Sequence, residues 1–171
     1  MLLVVVEHSV ELEITKSLMM PKDIVEAYAL AVKARETCTR KAFEDVVNFC
    51  ENDFRCSSDY SNKRNTLLLW SYDRLAQSYA HSNDYALAYQ YWRKAISLTS
   101  SKKVKLQIAS DMLAAADKGF ANIKEKAIRI VETTGILQEL YMASSDTENY
   151  QKMQKLNNIA TNLLISSKLK H

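Results

Sequence analysis

The chain has 171 residues, 47% hydrophobic and 25% charged, with a formal net charge of +3. That charge is too small to argue by itself for a nucleic-acid surface, and no apolar run approaches the ~18 residues of a membrane span. Two glycines and one proline supply little turn chemistry for sheets or long loops, so helices with short connections are expected.

The cysteines, Cys38, Cys50 and Cys56, are odd in number and lack close pairs. They do not make a disulfide framework and fit a reducing compartment. The first residues carry no early Lys or Arg, and their apolar run stops at Glu7 and His8, which is unlike a secretory leader. A cytoplasmic protein is expected.

Residues 1–20 differ from the rest. Leu2 to Val6 is a continuous apolar run, after which Val10, Leu12 and Ile14 alternate with Glu11 and Glu13. Period two with β-branched residues reads as a short strand that needs a partner for its backbone groups. The alternatives are a plain extension or a helical turn. A single helical domain is expected over residues 21–171.

Pro21 and Asp23 suit a first helical turn. Ile24, Ala27, Ala31 and Ala34 then mark one helix face to about Thr37. Thr39 is the expected N-cap of a helix whose apolar face is Ala42, Phe43, Val46, Val47 and Cys50. Cys50 reads as a small buried hydrophobe. Residues 53–63, DFRCSSDYSNK, are polar and without period, and are expected to form the longest loop. Beyond it, Leu68, Tyr72, Leu75, Ala76 and Tyr79 share one face, and Tyr85, Ala88, Trp92, Ala95 and Ile96 another. Asn83 and Asp84 are placed to stop the first of these helices and cap the second. Small residues at Ala76, Ala88 and Ala95 let two antiparallel backbones approach, and Tyr79 and Trp92 fill the space beside them.

Ser100 or Ser101 is the expected cap of a helix bearing Leu106, Ala109, Leu113 and Ala116, with Gly119 as its C-terminal glycine. Phe120, Ile123, Ala127, Ile130 and Val131 mark a further helix ending at Gly135, followed by a short one over residues 136–143. Ser145 and Glu148 match a capping box. The last helix carries Tyr150, Met153, Leu156, Ala160, Leu163 and Leu164 inward and a polar outer face, as a terminal helix requires.

Tyr72, Leu75, Ala76, Tyr79, Ala88, Trp92, Ala95 and Ser100 lie in register with the tetratricopeptide repeat, which this stretch resembles over residues 69–102. Tyr72 stands where that pattern has Trp, Ala76 where it has Gly, and Ser100 where it has Pro. Flanking pairs are degenerate. The resemblance implies an all-α, antiparallel helix-hairpin array of about seven or eight helices, wound as a right-handed superhelix. It also implies a non-catalytic adaptor or chaperone that grips a peptide in a groove. Trp70, Asp73, Arg74, Gln77 and His81 form the outward strip of the best-preserved pair and are the candidate partner-binding residues. In the branch of the family that grips C-terminal carboxylates, Lys and Asn occupy several of these places. Here only Arg74 resembles them.

No acid, base or nucleophile is grouped for catalysis. His8, His81 and His171 are far apart, no cysteine pair has zinc spacing, and two isolated glycines make no phosphate loop. Neither metal nor cofactor is expected. Two readings stand beside the peptide groove. One is a self-associating subunit that dimerises through strand addition by residues 1–20. The weaker one is nucleic-acid binding through Lys102, Lys103 and Lys105, with Tyr85, Tyr89 and Tyr91 as stacking surfaces.

Overall fold

The computed structural model describes residues 22–53 and 58–168. They form seven α-helices and one π-helical turn: α1 Lys22–Thr37, α2 Arg40–Asn48, the π-turn Phe49–Asp53, α3 Ser58–His81, α4 Tyr85–Ile96, α5 Lys102–Gly119, α6 Ile123–Met142 and α7 Thr147–Lys168. The fold is an all-α helical array, with no strand among the described residues. The expected N-terminal strand lies outside them, as does Cys56. The chain divides into two compact units, the boundary falling within α3 between Leu67 and Leu68.

In the first unit α1 packs on α2. Ile24, Ala27, Ala31 and Ala34 are buried on α1, and Ala42, Phe43, Val46, Val47 and Cys50 on α2 and its extension. These are the faces that helical spacing marks. Thr39 caps α2 by accepting from the Ala42 amide. Arg64 on α3 donates its Nε–H to the Cys50 carbonyl at 2.6 Å, which gives that π-turn carbonyl a partner. Burial pushes the Cys50 thiol up to about 11. It therefore stays protonated and unreactive near neutrality.

Of the residues 53–63 expected to form a loop, Asp53 ends the π-turn. Ser58 to Lys63 already belong to α3. A helical turn with a solvated face has no apolar period to reveal it, and a packed helix propagates into polar residues at little cost.

In the second unit the C-terminal part of α3 pairs with α4, and α4 packs on α5, α5 on α6 and α6 on α7. Leu75, Ala76, Ala88 and Ala95 have no exposure at all, and Tyr72 and Trp92 almost none. The Trp92 indole N–H donates to Asp73 Oδ1 at 3.0 Å, and Tyr91 stacks on Tyr79 with centroids 5.5 Å apart. Asn83 adopts φ 62. The Asp84 amide reaches back to the Tyr79 carbonyl at 2.9 Å, while the Asp84 carboxylate accepts from the Leu87 amide. One residue thus closes α3 and caps α4.

Four expectations about the second half are corrected. Gly135 does not end a helix: α6 runs unbroken from Ile123 to Met142, so the two helices expected there are one. Burial of Thr133, Thr134 and Leu137 around the glycine outweighs its poor propensity. Ser145 is not an N-cap. It adopts φ 59 to stop α6, and Asp146 caps α7 by accepting from the Asn149 amide at 3.1 Å. Glu148 instead bonds Lys152 at 2.6 Å. Gly119 has no left-handed φ. A Cβ there would lie 2.6 Å from Tyr85 Cβ and 2.9 Å from the backbone of Tyr85 and Ala86, so its role is close approach to α4. The apolar faces are also shifted. Ile108, Met112 and Ala115 are buried on α5, while Ile123 and Leu163, expected to face inward, are exposed. Adjacent periodic faces overlap in sequence, and only the neighbouring helix decides which is covered.

Candidate functional site

Asp73, Gln77 and Arg74 meet in one chain of hydrogen bonds along α3. Asp73 Oδ1 accepts from Trp92 and Oδ2 from Gln77 Nε2 at 2.8 Å; Gln77 Oε1 accepts from Arg74 Nη1 at 3.2 Å. His81 Nδ1 lies 2.6 Å from the Gln77 carbonyl, one turn back along the helix. Trp70 is half-buried on the same helix, and Arg74 and His81 are exposed. Asp73 is committed to locking α3 to α4, and Gln77 to its neighbours Asp73 and Arg74.

A second cluster lies between α4 and α6. Tyr89, at 1% exposure the largest fully enclosed side chain, enters from α4. Its hydroxyl is 3.0 Å from Thr133 Oγ1, 3.2 Å from Glu132 Oε2 and 3.3 Å from the Arg129 carbonyl. A phenol has one proton, so it donates to one of these at a time. Phe120 meets the Tyr89 ring edge-on, and the Arg129 guanidinium sits 5.5 Å over it. Glu132 links both helices: Oε1 pairs with Arg93 Nε at 2.6 Å and Oε2 with Arg129 Nη1 at 3.4 Å. Above this floor is a groove of about 520 Å3 lined by Tyr89, Gln90, Arg93, Lys94, Ser97 and Arg129.

Burial pushes the Tyr89 hydroxyl up to about 12; the Thr133 contact opposes this and the Glu132 charge adds to it. An unfolded tyrosine ionises near about pH 10. Below that both states keep the proton and the contribution to stability is complete. As pH rises toward 12 the unfolded chain loses its proton first, and the contribution is lost. Urea unfolding at about pH 9 and about pH 11 is expected to show a steeper alkaline loss for the native protein than for Tyr89→Phe. Equal losses would exclude this role.

Of the residues considered for nucleic-acid stacking, Tyr89 is enclosed, Tyr91 stacks on Tyr79, and the Tyr85 hydroxyl donates to Asn83 with Lys118 over its ring. Lys94 lies 5.2 Å over Tyr72. No group of His, Cys, Asp and Glu among the described residues is arranged to hold a metal ion, and no described helix is long and apolar enough to cross a membrane.

Arg93, Arg129 and Glu132 did not stand out in the sequence. The available signal was Glu125, Arg129 and Glu132 at spacings of four and three, with Tyr89 and Arg93 four apart on the preceding helix pair. Each pattern alone is an ordinary solvated face. The chain matches no family model, no curated protein and no solved structure.

Proposed function

We propose that the protein is a non-catalytic interaction module, an adaptor or chaperone of the tetratricopeptide type, which binds a segment of a partner protein. We place it in the cytoplasm on its odd number of cysteines without close pairs in sequence. The observation that carries the reading is the consumption of the inner faces of α3 to α6 by packing, beside an open groove between α4 and α6. Helix arrays of this kind offer surface rather than reactive groups.

Co-purification from the native cell tests it with three forms: native, Trp70→Ala with Arg74→Ala, and Arg93→Ala. A partner retained by the native protein and lost from one variant is expected. Identical sets from all three count against any groove on these helices.

A second reading is self-association through the first unit. Val25, Tyr28 and Val32 recur at helical spacing on α1 and are 43–52% exposed, an apolar stripe flanking the buried face. Light scattering on Val25→Ser with Val32→Ser, and on a chain lacking residues 1–16, separates the readings. A native monomer removes this one.

A further inference from the structure

Outside the groove, α6 carries a second arrangement. Lys124, Ile128, Gly135, Met142 and Asp146 follow one another at spacings of four, seven, seven and four. Steps of four and seven stay on one side of a helix. On α6 that side is open: Lys124 is exposed, Ile128 is 43% exposed and Met142 66%. At Gly135 a Cβ would meet nothing within 4 Å beyond its chain neighbours and the helix's own backbone. Exposed apolar side chains on either side of an open glycine make a surface that is better covered than hydrated. The glycine lets a second backbone come close.

The order of chemistry selects the occupant. It runs cation, apolar, glycine, apolar, anion, with the same spacing read from either end. A two-fold axis at Gly135 therefore sets Ile128 of each copy against Met142 of the other, and Lys124 against Asp146. Two-fold contacts pair one patch with itself in this way. The end groups are available. Asp146 accepts from the Asn149 side chain and amide, and no cation among the described residues reaches ion-pair distance from it. A carboxylate has about four acceptor sites, so room for a cation remains. The two Asn149 hydrogen bonds also hold its pKa below the usual carboxylate value. Lys124 has no ion pair among the described residues. The other cations at this end of α6, Lys152 and Lys102, are held by Glu148 at 2.6 Å and by the Ala143 carbonyl at 3.5 Å. Met142 and Asp146 line, with Tyr141, Ser145, Thr147 and Tyr150, a groove of about 370 Å3, which is space for an entering side chain. Glu139 is exposed at the rim of the stripe, where solvent screens its charge.

We infer that the protein forms a homodimer in which α6 packs antiparallel on α6 of a second copy, about a two-fold axis at Gly135. Ile128 and Lys124 of each copy enter the groove beside Met142 and Asp146 of the other. The contact is independent of the groove between α4 and α6 and of the apolar stripe on α1.

Sedimentation equilibrium on the full chain, up to about 1 mM, tests the inference. The native mass is expected to rise with concentration from 19.5 kDa toward twice that value, and to stop there because a two-fold contact closes. Ile128→Glu and Met142→Lys each set a charge against an apolar side chain and should weaken association about tenfold or more. Mixed in equal amounts, the two variants should pair with each other, since the introduced carboxylate then meets the introduced ammonium. Gly135→Ala should weaken the dimer while it favours α6 in the dilute monomer. Ile128 and Met142 are exposed, so these variants should fold, and thermal melts verify it. Val25→Ser with Val32→Ser should dimerise as the native protein does. A native monomer at every concentration overturns the inference, as does an assembly larger than a dimer or native-like association by Ile128→Glu. Failure of the mixed variants to pair overturns the two-fold axis at Gly135. Dimers lost from the α1 variant but kept by Ile128→Glu overturn it too, and leave self-association through the first unit standing.

Discussion

Gly119→Ala is expected to destabilise the protein by about 2–3 kcal/mol, and Gly135→Ala to stabilise it by about 1 kcal/mol. The same chemical change acts at two glycines of the second unit with opposite sign. At Gly119 the added methyl would stand 2.6 Å from Tyr85 Cβ and 2.9 Å from backbone atoms of Tyr85 and Ala86. Backbone cannot rotate away, so α4 and α5 must separate, and with them the Ala88, Ala109 and Ala116 positions that have no exposure. At Gly135 nothing beyond its chain neighbours and its own helix backbone lies within 4 Å of the added methyl, and alanine simply lowers the entropy that the unfolded chain loses on forming α6. Urea unfolding of both variants checks the pair. Equal shifts, or a stable Gly119→Ala, would mean that the close approach of α4 and α5 is absent in solution.

Trp92→Ala should cost about 3–5 kcal/mol, the range for emptying a large aromatic site, against a total stability of about 5–15 kcal/mol for an ordinary domain. Trp92 is 5% exposed and its indole N–H bonds Asp73 Oδ1 at 3.0 Å. Two terms add: the cavity, and a carboxylate oxygen left without its donor. Trp92→Phe keeps most of the volume and isolates the second term, for which about 1–2 kcal/mol is expected. In a double-mutant cycle with Asp73→Ala, a coupling near that size assigns Asp73 to the hairpin. No coupling would return Asp73 to the outward strip as a residue available to a partner.

Trp70, Asp73, Arg74, Gln77 and His81 share a face by helical spacing alone, and α3 does present them in that order. Spacing cannot tell that Asp73 is bonded to a tryptophan nineteen residues onward. The Arg93, Glu132 and Arg129 cluster was less legible still. Its members lie on helices separated by α5, and charges at spacings of three and four on any one helix are what every solvated face shows. The fold was easier. Ile24, Ala27, Ala31 and Ala34, then Ala42, Phe43, Val46, Val47 and Cys50, were readable because one covered face per helix repeats at 3.6 residues. Thr39, Asp84 and the Ser100–Ser101 pair, of which Ser101 is the cap, were readable because a short side-chain oxygen before an apolar run has few other uses.

Where reading failed, local propensity was outvoted. Gly135 looks like a stop, yet neighbours on other helices hold α6 straight through it. Asn157, on α7, donates to Thr134 Oγ1 at 2.8 Å and to the Val131 carbonyl at 3.2 Å beside the glycine. Serine at position 145 looks like a cap, yet the chain must first reverse there, and Asp146 is the next residue able to accept an amide.

The sequence by itself determined that this chain is helical, where most helices begin, and which small residues let α3 and α4 touch, because propensity, capping and period act within a few residues. Only the tertiary structure decided that Gly119 serves contact rather than termination, that Asp73 faces Trp92, and that two arginines from α4 and α6 share one glutamate. Those outcomes depend on groups brought together by packing across the array, and no local pattern encodes a distance between helices.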